Sequence, residues 1–193
     1  MNVNKRKSVF ISGSAYEYGS FGEEGKTFIR VLSKTLLQRG FTIISGFGSG
    51  VGNYVLEGAL EEIYSDRGKM QDRLRVYPFP TLRPLMEEIQ EHYRNDMIAQ
   101  AETVIFLFGN KLEDIEVREA DGMLKEFEIA RRYKARLIPV GVSGYVSAKL
   151  WEDLVQRYDD YFDNRAMFGL YERLGDACAR PDELIDAILQ IAQ

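Results

Sequence analysis

The sequence predicts an α/β domain, a Rossmann-like open and mostly parallel sheet with helices on both faces. Three observations predict it. Short apolar, β-prone runs alternate with helical stretches along the chain, the pattern of repeated βα units. Two of those runs end in small-residue turns, Gly13-Ser14-Ala15 and Gly46-Phe47-Gly48-Ser49-Gly50-Val51-Gly52. The 193 residues, 45% of them hydrophobic, suit one domain with a full core.

Each element has its own reason. Ser8 to Ser12 is a short apolar strand. Glu23 to Arg39 is a helix with Phe28, Leu32 and Leu36 on one face, backed by Ile29 and Leu37, and Gly40 stops it where glycine is favoured. Phe41 to Ser45 is the second strand and Asn53 to Tyr64 the second helix. Ser65 to Gln71 is a polar break before a third strand, Leu74 to Tyr77, ended by Pro78 and Pro80. Arg83 to Ala101 reads as helix through Leu85, Ile89 and Met97. Thr103 to Phe108 is the most hydrophobic strand, which places it centrally.

Lys111 to Asp121 is acidic and reads as a solvated loop, with no calcium-loop spacing among its carboxylates. Met123 to Tyr133 is helix and Arg136 to Val140 the fifth strand, with Pro139 suited to an edge or strand end. A helix after Gly144 turns Trp151 and Leu154 inward. Tyr158 to Phe168, rich in Tyr, Phe and Asp, carries no assignment. Pro181 opens a last amphipathic helix.

Composition narrows the function. With 25 basic and 30 acidic residues the net charge is -5, against a nucleic-acid-coating surface. No apolar run reaches membrane-spanning length and no signal segment opens the chain, so the expectation is a cytoplasmic protein without membrane or nucleic-acid partners. Cys178 is the only cysteine and His92 the only histidine, so neither a disulfide nor a metal site is expected.

Ligands of open α/β sheets bind beyond the C-terminal strand ends, where chain order reverses. Both glycine turns and Gly109 stand at such ends. Glycines there let backbone NH groups approach phosphate oxygens, although they also serve simply to permit tight turns. The second loop lacks the Gly-Lys-Ser/Thr ending of a P-loop and does not complete Gly-x-Gly-x-x-Gly. Arg94 precedes the central strand. A helical arginine is most often solvated, and its functional alternative is a planar fork that clamps phosphate. Glu126, near a helix start, either complements the macrodipole or faces the cleft. Lys111, just past Gly109-Asn110, is a surface lysine or a second positive charge.

Together, Gly13-Ser14-Ala15, the Gly46 to Gly52 loop, Arg94 with Met97, and Gly122-x-x-x-Glu126 resemble the SLOG superfamily, in the order seen in LOG-type phosphoribohydrolases. Where those enzymes carry Pro-Gly-Gly-x-Gly-Thr-x-x-Glu, this chain has Phe108-Gly109-Asn110, an acidic insertion, then Gly122-Met123-x-x-Glu126. Within the superfamily, Ser8 to Ala15, Ile43 to Gly48 and Tyr93 to Met97 look most like the C-terminal SLOG sensor domains of bacterial Thoeris antiphage effectors.

That resemblance covers nearly the whole chain and implies a single sensor domain over residues 1–193. Its ligand would be a cyclic ADP-ribose isomer made by a partner TIR-domain protein, with no other cofactor. It implies that Gly13, Ser14, Ala15, Gly46, Phe47, Gly48, Gly50, Gly52, Arg94, Gly109, Asn110, Lys111 and Glu126 line the site. In those effectors an N-terminal sirtuin-like domain degrades NAD when the signal binds. The first strand here begins within ten residues of Met1, so the expectation is the isolated, non-catalytic sensor, working as a homodimer or higher homo-oligomer. The alternative is a LOG-like nucleoside 5′-monophosphate phosphoribohydrolase, with Glu126 and Arg94 as its catalytic pair.

Overall fold

The computed structural model describes residues 7–65, 73–79 and 86–193. Its main sheet has five parallel strands: β1 (Ser8–Ser14), β2 (Thr42–Ser45), β3 (Leu74–Val76), β4 (Thr103–Phe108) and, at one edge, the strand Arg136–Pro139. Between β4 and that edge strand the chain forms a separate antiparallel pair, β5 (Asn110–Glu113) and β6 (Glu116–Glu119), so the edge strand is β7. The main order is β3-β2-β1-β4-β7. The chain builds outward from β1 through β2 to β3, then crosses back to place β4 on the other side of β1. The β1–β4 junction is therefore the switch point, where a crevice opens at the C-terminal strand ends.

The helices are α1 (Glu24–Gln38), α2 (Gly52–Ser65), α3 (Glu87–Ile98), α4 (Asp121–Arg132), α5 (Tyr145–Gln156), α6 (Tyr158–Tyr161), α7 (Phe168–Arg173) and α8 (Pro181–Ala192). They form for the expected reasons. Phe28, Ile29, Leu32, Leu36 and Leu37 of α1 are all buried, and Gly40 then takes the left-handed φ of 82° that suits a residue just past a helix end. All six residues of β4 are buried. This strand is interior, but β1 holds the middle place, because among the described residues β7 alone lies beyond β4. Pro139 sits at the end of edge strand β7, where its missing N–H breaks no ladder. Residues 66–71 of the polar break, Pro80, and the helix start at Arg83 with Leu85 lie outside the described residues.

One expectation is corrected, and one unassigned stretch takes a structure. The acidic stretch from Lys111 is the β5–β6 hairpin rather than a loop, turning at Asp114 with φ 57°. Leu112 pairs with Val117 across it. Like charges stand opposite at Lys111–Arg118 and Glu113–Glu116, but Arg118 reaches Glu113 at 3.7 Å and Glu116 at 3.3 Å, so neighbouring pairs of opposite sign offset the repulsion. Tyr158 to Phe168 spans α6 and the start of α7, and its aromatics pack inward. The Tyr158 ring lies 4.7 Å from Phe162 and 5.0 Å from Phe168, and Phe162 lies 5.0 Å from Tyr171. Tyr171 is buried and donates its hydroxyl to the Leu137 carbonyl at 2.8 Å, and burial pushes its phenol far up.

Candidate functional site

The crevice at the switch point holds a cavity of about 200 Å3. Its floor is the end of β1, at Ser12, Gly13 and Ser14. Gly46, Phe47, Gly48 and Ser49 form one wall. Phe79 and Arg94 of α3 form another, and Ala120, Gly122, Met123 and Glu126 close it from the start of α4. The first turn of a 12-residue helix thus faces the cavity and adds the positive end of its dipole.

The glycine loop is stitched to the end of β1. The Ala15 amide donates to the Ser49 carbonyl at 2.8 Å, and the Gly109 amide to the Ser14 carbonyl at 2.9 Å. A Cβ at Gly48 would lie 1.9 Å from the Gly13 carbonyl oxygen, and one at Gly50 1.8 Å from that of Ala15. Close approach of two backbones therefore requires these two glycines whatever they bind. Gly52 opens α2 beneath Phe47, which holds a left-handed φ of 55°. Strain of this kind persists where the surroundings fix it, often at a site. Among the described residues, the amides of Gly48, Ser49 and Gly50 donate to no protein acceptor.

Two side-chain atoms lining this cavity are buried without a hydrogen-bond partner, Ser14 Oγ and Arg94 Nε. An unpaired buried polar atom costs about 1–3 kcal/mol, so two in one cavity mark a place where polar groups are held for a ligand. Arg94 Nε stands 3.7 Å from Glu126 Oε1, close enough for attraction and too far for a hydrogen bond. The guanidinium lies 4.9 Å from the centre of the Phe79 ring, which fixes its plane. Gly122 leaves room for it, since a Cβ there would lie 3.2 Å from Arg94 Nη2.

Glu126 accepts a hydrogen bond from Ser12 Oγ at 2.6 Å. Burial raises its carboxyl above the ordinary carboxylate range, while the Ser12 hydrogen bond and the Arg94 charge pull it back in part. A raised folded value favours the protonated form, so the stabilising contribution is full below the unfolded value and is lost as pH rises through the folded one. Wild type is therefore expected to lose stability relative to Glu126→Gln as pH rises above the ordinary carboxylate range. Denaturant melts across that rise check this, and parallel profiles for the two proteins would refute it.

The structure brings Gly13, Ser14, Gly46, Phe47, Gly48, Arg94 and Glu126 round one cavity. The other sequence-derived positions stand behind it or beside it. Ala15, Gly50, Gly52 and Gly109 hold its walls together. Asn110 is buried, accepts the Tyr16 and Glu17 amides at 2.9 Å each and donates to the Glu17 carbonyl at 2.8 Å, so its amide is spent on anchoring the hairpin root. Lys111 lies on β5, partly exposed and 3.7 Å from Glu113, outside the cavity lining. Sequence reasoning left out Ser12, Phe79 and Ala120, and named Ser49, Gly122 and Met123 only within their motifs. Ser12 carried one usable signal, a hydroxyl in an otherwise apolar strand.

Larger cavities, of about 530, 360 and 260 Å3, lie away from the glycine turns, the second of them also bordered by Arg94. None holds the glycine turns or the unpartnered Ser14. Among the described residues, no helix is long and apolar enough to cross a membrane, and no three His, Cys, Asp or Glu side chains come together as a metal site.

A parallel sheet in this order, with a glycine-walled crevice at its switch point closed by an arginine and a glutamate, defines a Rossmann-like ligand-binding class of α/β domain. The sequence profile of the Sir2- and TIR-associating SLOG family, STALD, matches residues 1–193, and the chain belongs to that family. It is 38% identical over 196 residues to the NAD(+) hydrolase ThsA of Bacillus cereus (strain MSX-D12), covering 100% of this chain and 41% of that protein. It is 39% identical over 194 residues to ThsA of Cytobacillus dafuensis, covering 96% of this chain and 39% of that protein. The chain thus spans about two fifths of the length of these relatives. The X-ray structure of the protein TM1055 shares the fold, with a TM-score of 0.58, 20% identity, and coverage of 95% of this chain and 99% of that one.

Proposed function

We propose that this domain is a sensor. It binds a cyclic ADP-ribose isomer supplied by a TIR-domain partner and so controls an attached NAD-degrading unit in antiphage defence. The observation that carries the reading is the pair of buried, unpartnered atoms, Ser14 Oγ and Arg94 Nε, in one glycine-walled cavity. The relatives' name, NAD(+) hydrolase, and their greater length support the attached unit.

The chemistry fits such a ligand. One phosphate takes the Ser14 hydroxyl and the amides of Gly48 and Ser49, and the α4 terminus adds its dipole. Arg94 takes another phosphate oxygen through Nε. Glu126 accepts a ribose hydroxyl, and Lys111, outside the cavity lining and beside Glu113, would reach the ligand only if the hairpin moved. The hairpin root joins both sides of the site, because the Ala120 amide donates to the Gly109 carbonyl at 2.9 Å and Gly109 to Ser14. Occupancy thus has a route to an exposed element, and a homo-oligomeric interface is the two-state element it would bias.

Native mass spectrometry with a panel of cyclic ADP-ribose isomers, NAD and AMP tests this. One isomer should be retained at one per chain, unconverted. Failure of every isomer to bind overturns the reading.

One observation favours a second reading. A buried carboxyl with a raised pKa is poised to protonate a leaving group. In a LOG-like hydrolase, water bonds to C1′ of a nucleoside monophosphate as the bond to the base breaks. Glu126 protonates the departing nitrogen and recovers a proton from the water. Free adenine formed from AMP by pure protein, and absent with Glu126→Gln, would establish this enzyme.

A further inference from the structure

The largest cavity among those described lies at the opposite end of the sheet from the glycine turns. It occupies about 530 Å3 at the starts of β4 and β7, roughly 17 Å of strand away at about 3.3 Å per residue. Its size falls within the usual range for small-molecule sites. In a chain of net charge -5, it gathers Arg131, Lys134 and Arg136. Lys7 also borders it but donates its ammonium to the main-chain oxygen of Gln193. Asp160 on its rim is held by Arg157 at 3.0 Å and Arg131 by Glu128 at 3.7 Å, which leaves Lys134 and Arg136 as the cations facing Glu102 and Asp163.

The walls are fixed in advance. Arg136 Nη1 donates to the Ile191 carbonyl, which orients the rest of the fork. Tyr161 donates its hydroxyl to Asp153 Oδ2 at 2.5 Å, and burial with that bond pushes its phenol up to about 12. Arg131 stands over the Tyr161 ring at 5.9 Å. Phe162 is locked against Tyr158 and Tyr171. A smaller cavity of about 260 Å3 shares Arg136, Asp163, Tyr161 and Phe162 with the first, so these two aromatic side chains border both. Held aromatic faces beside a held guanidinium suit a planar ring carrying an anionic tail, at little ordering cost.

We propose that this cavity is a second ligand site, separate from the switch-point crevice, that takes a nucleoside 5′-phosphate. The phosphate lies on Arg136 and Lys134 and the base against Tyr161 and Phe162. The site is independent of the sensor reading, since it shares no residue with the first cavity.

The test is calorimetric titration of the Arg94→Ala protein, whose first site is weakened, with AMP, adenosine and inorganic phosphate. AMP is expected to bind at one per chain and more tightly than either fragment. Lys134→Gln, at an exposed position, and Lys134→Gln with Arg136→Gln should weaken AMP at least tenfold, while wild-type circular dichroism shows that the variants fold. In wild type the same substitutions should leave binding of the cyclic signal unchanged. No saturable AMP binding to Arg94→Ala up to about 1 mM, a weak affinity on the free-energy scale, overturns the proposal. So does AMP binding that ignores Lys134 and Arg136, or phosphate binding as tightly as AMP.

Discussion

Arg94→Ala is expected to weaken binding of a cyclic ADP-ribose isomer by ~2–5 kcal/mol, the usual cost of truncating one member of a buried charge pair. That is roughly thirtyfold or more at about 1.4 kcal/mol per decade. The magnitude follows from how the side chain is held. Its Nε is buried and without a hydrogen-bond partner in the free protein, so a phosphate oxygen gains a donor that has no competing protein bond to break. Phe79 sets its plane and Gly122 leaves space beside it. Arg94→Lys keeps the charge and loses the planar fork, so it should restore only part of the affinity. The substitution also removes the cation that lowers the Glu126 carboxyl, so ligand binding by Arg94→Ala should become more pH-dependent. Calorimetry on the three proteins reads all of this, and unchanged affinity in Arg94→Ala would remove the arginine from the site.

Much of the scaffold was legible because it rests on local patterns. The apolar runs at Val9, Ile43 and Val104 became interior strands, and the α1 stripe of Phe28, Leu32 and Leu36 became its buried face. The order of strands gave the crevice, and the small residues at two strand ends marked it. What was not legible depends on contacts distant in sequence. Charges hid the hairpin, because the Leu112–Val117 pair that registers it is short and flanked by acids. Asn110 looked like a ligand group and is spent on Tyr16 and Glu17, over 90 positions away. Phe79 follows a proline in an unpatterned segment, and nothing local foretells that it lies against Arg94. Nor could sequence separate glycines that face a ligand from glycines that only let two backbones touch.

That separation is itself testable, with two alanine substitutions expected to fail in opposite ways. In Gly50→Ala the new Cβ falls 1.8 Å from the Ala15 carbonyl oxygen, at a left-handed φ of 71°. A left-handed L-residue costs about 1–2 kcal/mol and overpacking typically about 1–3 kcal/mol. Gly50→Ala should therefore lose roughly 2–5 kcal/mol of stability in denaturant melts, whether or not ligand is present. Gly122 differs, because it sits in the first turn of α4 and its Cβ would meet only the far end of Arg94, at 3.2 Å. Alanine there gains up to about 1 kcal/mol of helix propensity, so the fold should be unharmed or slightly firmer. Displacing the guanidinium by a few tenths of an ångström should nonetheless cost about tenfold in signal affinity, near 1.4 kcal/mol. If Gly122→Ala binds as well as wild type, the guanidinium is not held at the position the ligand needs. If Gly50→Ala melts as wild type does, the stitching of the glycine loop to β1 is not what sets the shape of the crevice.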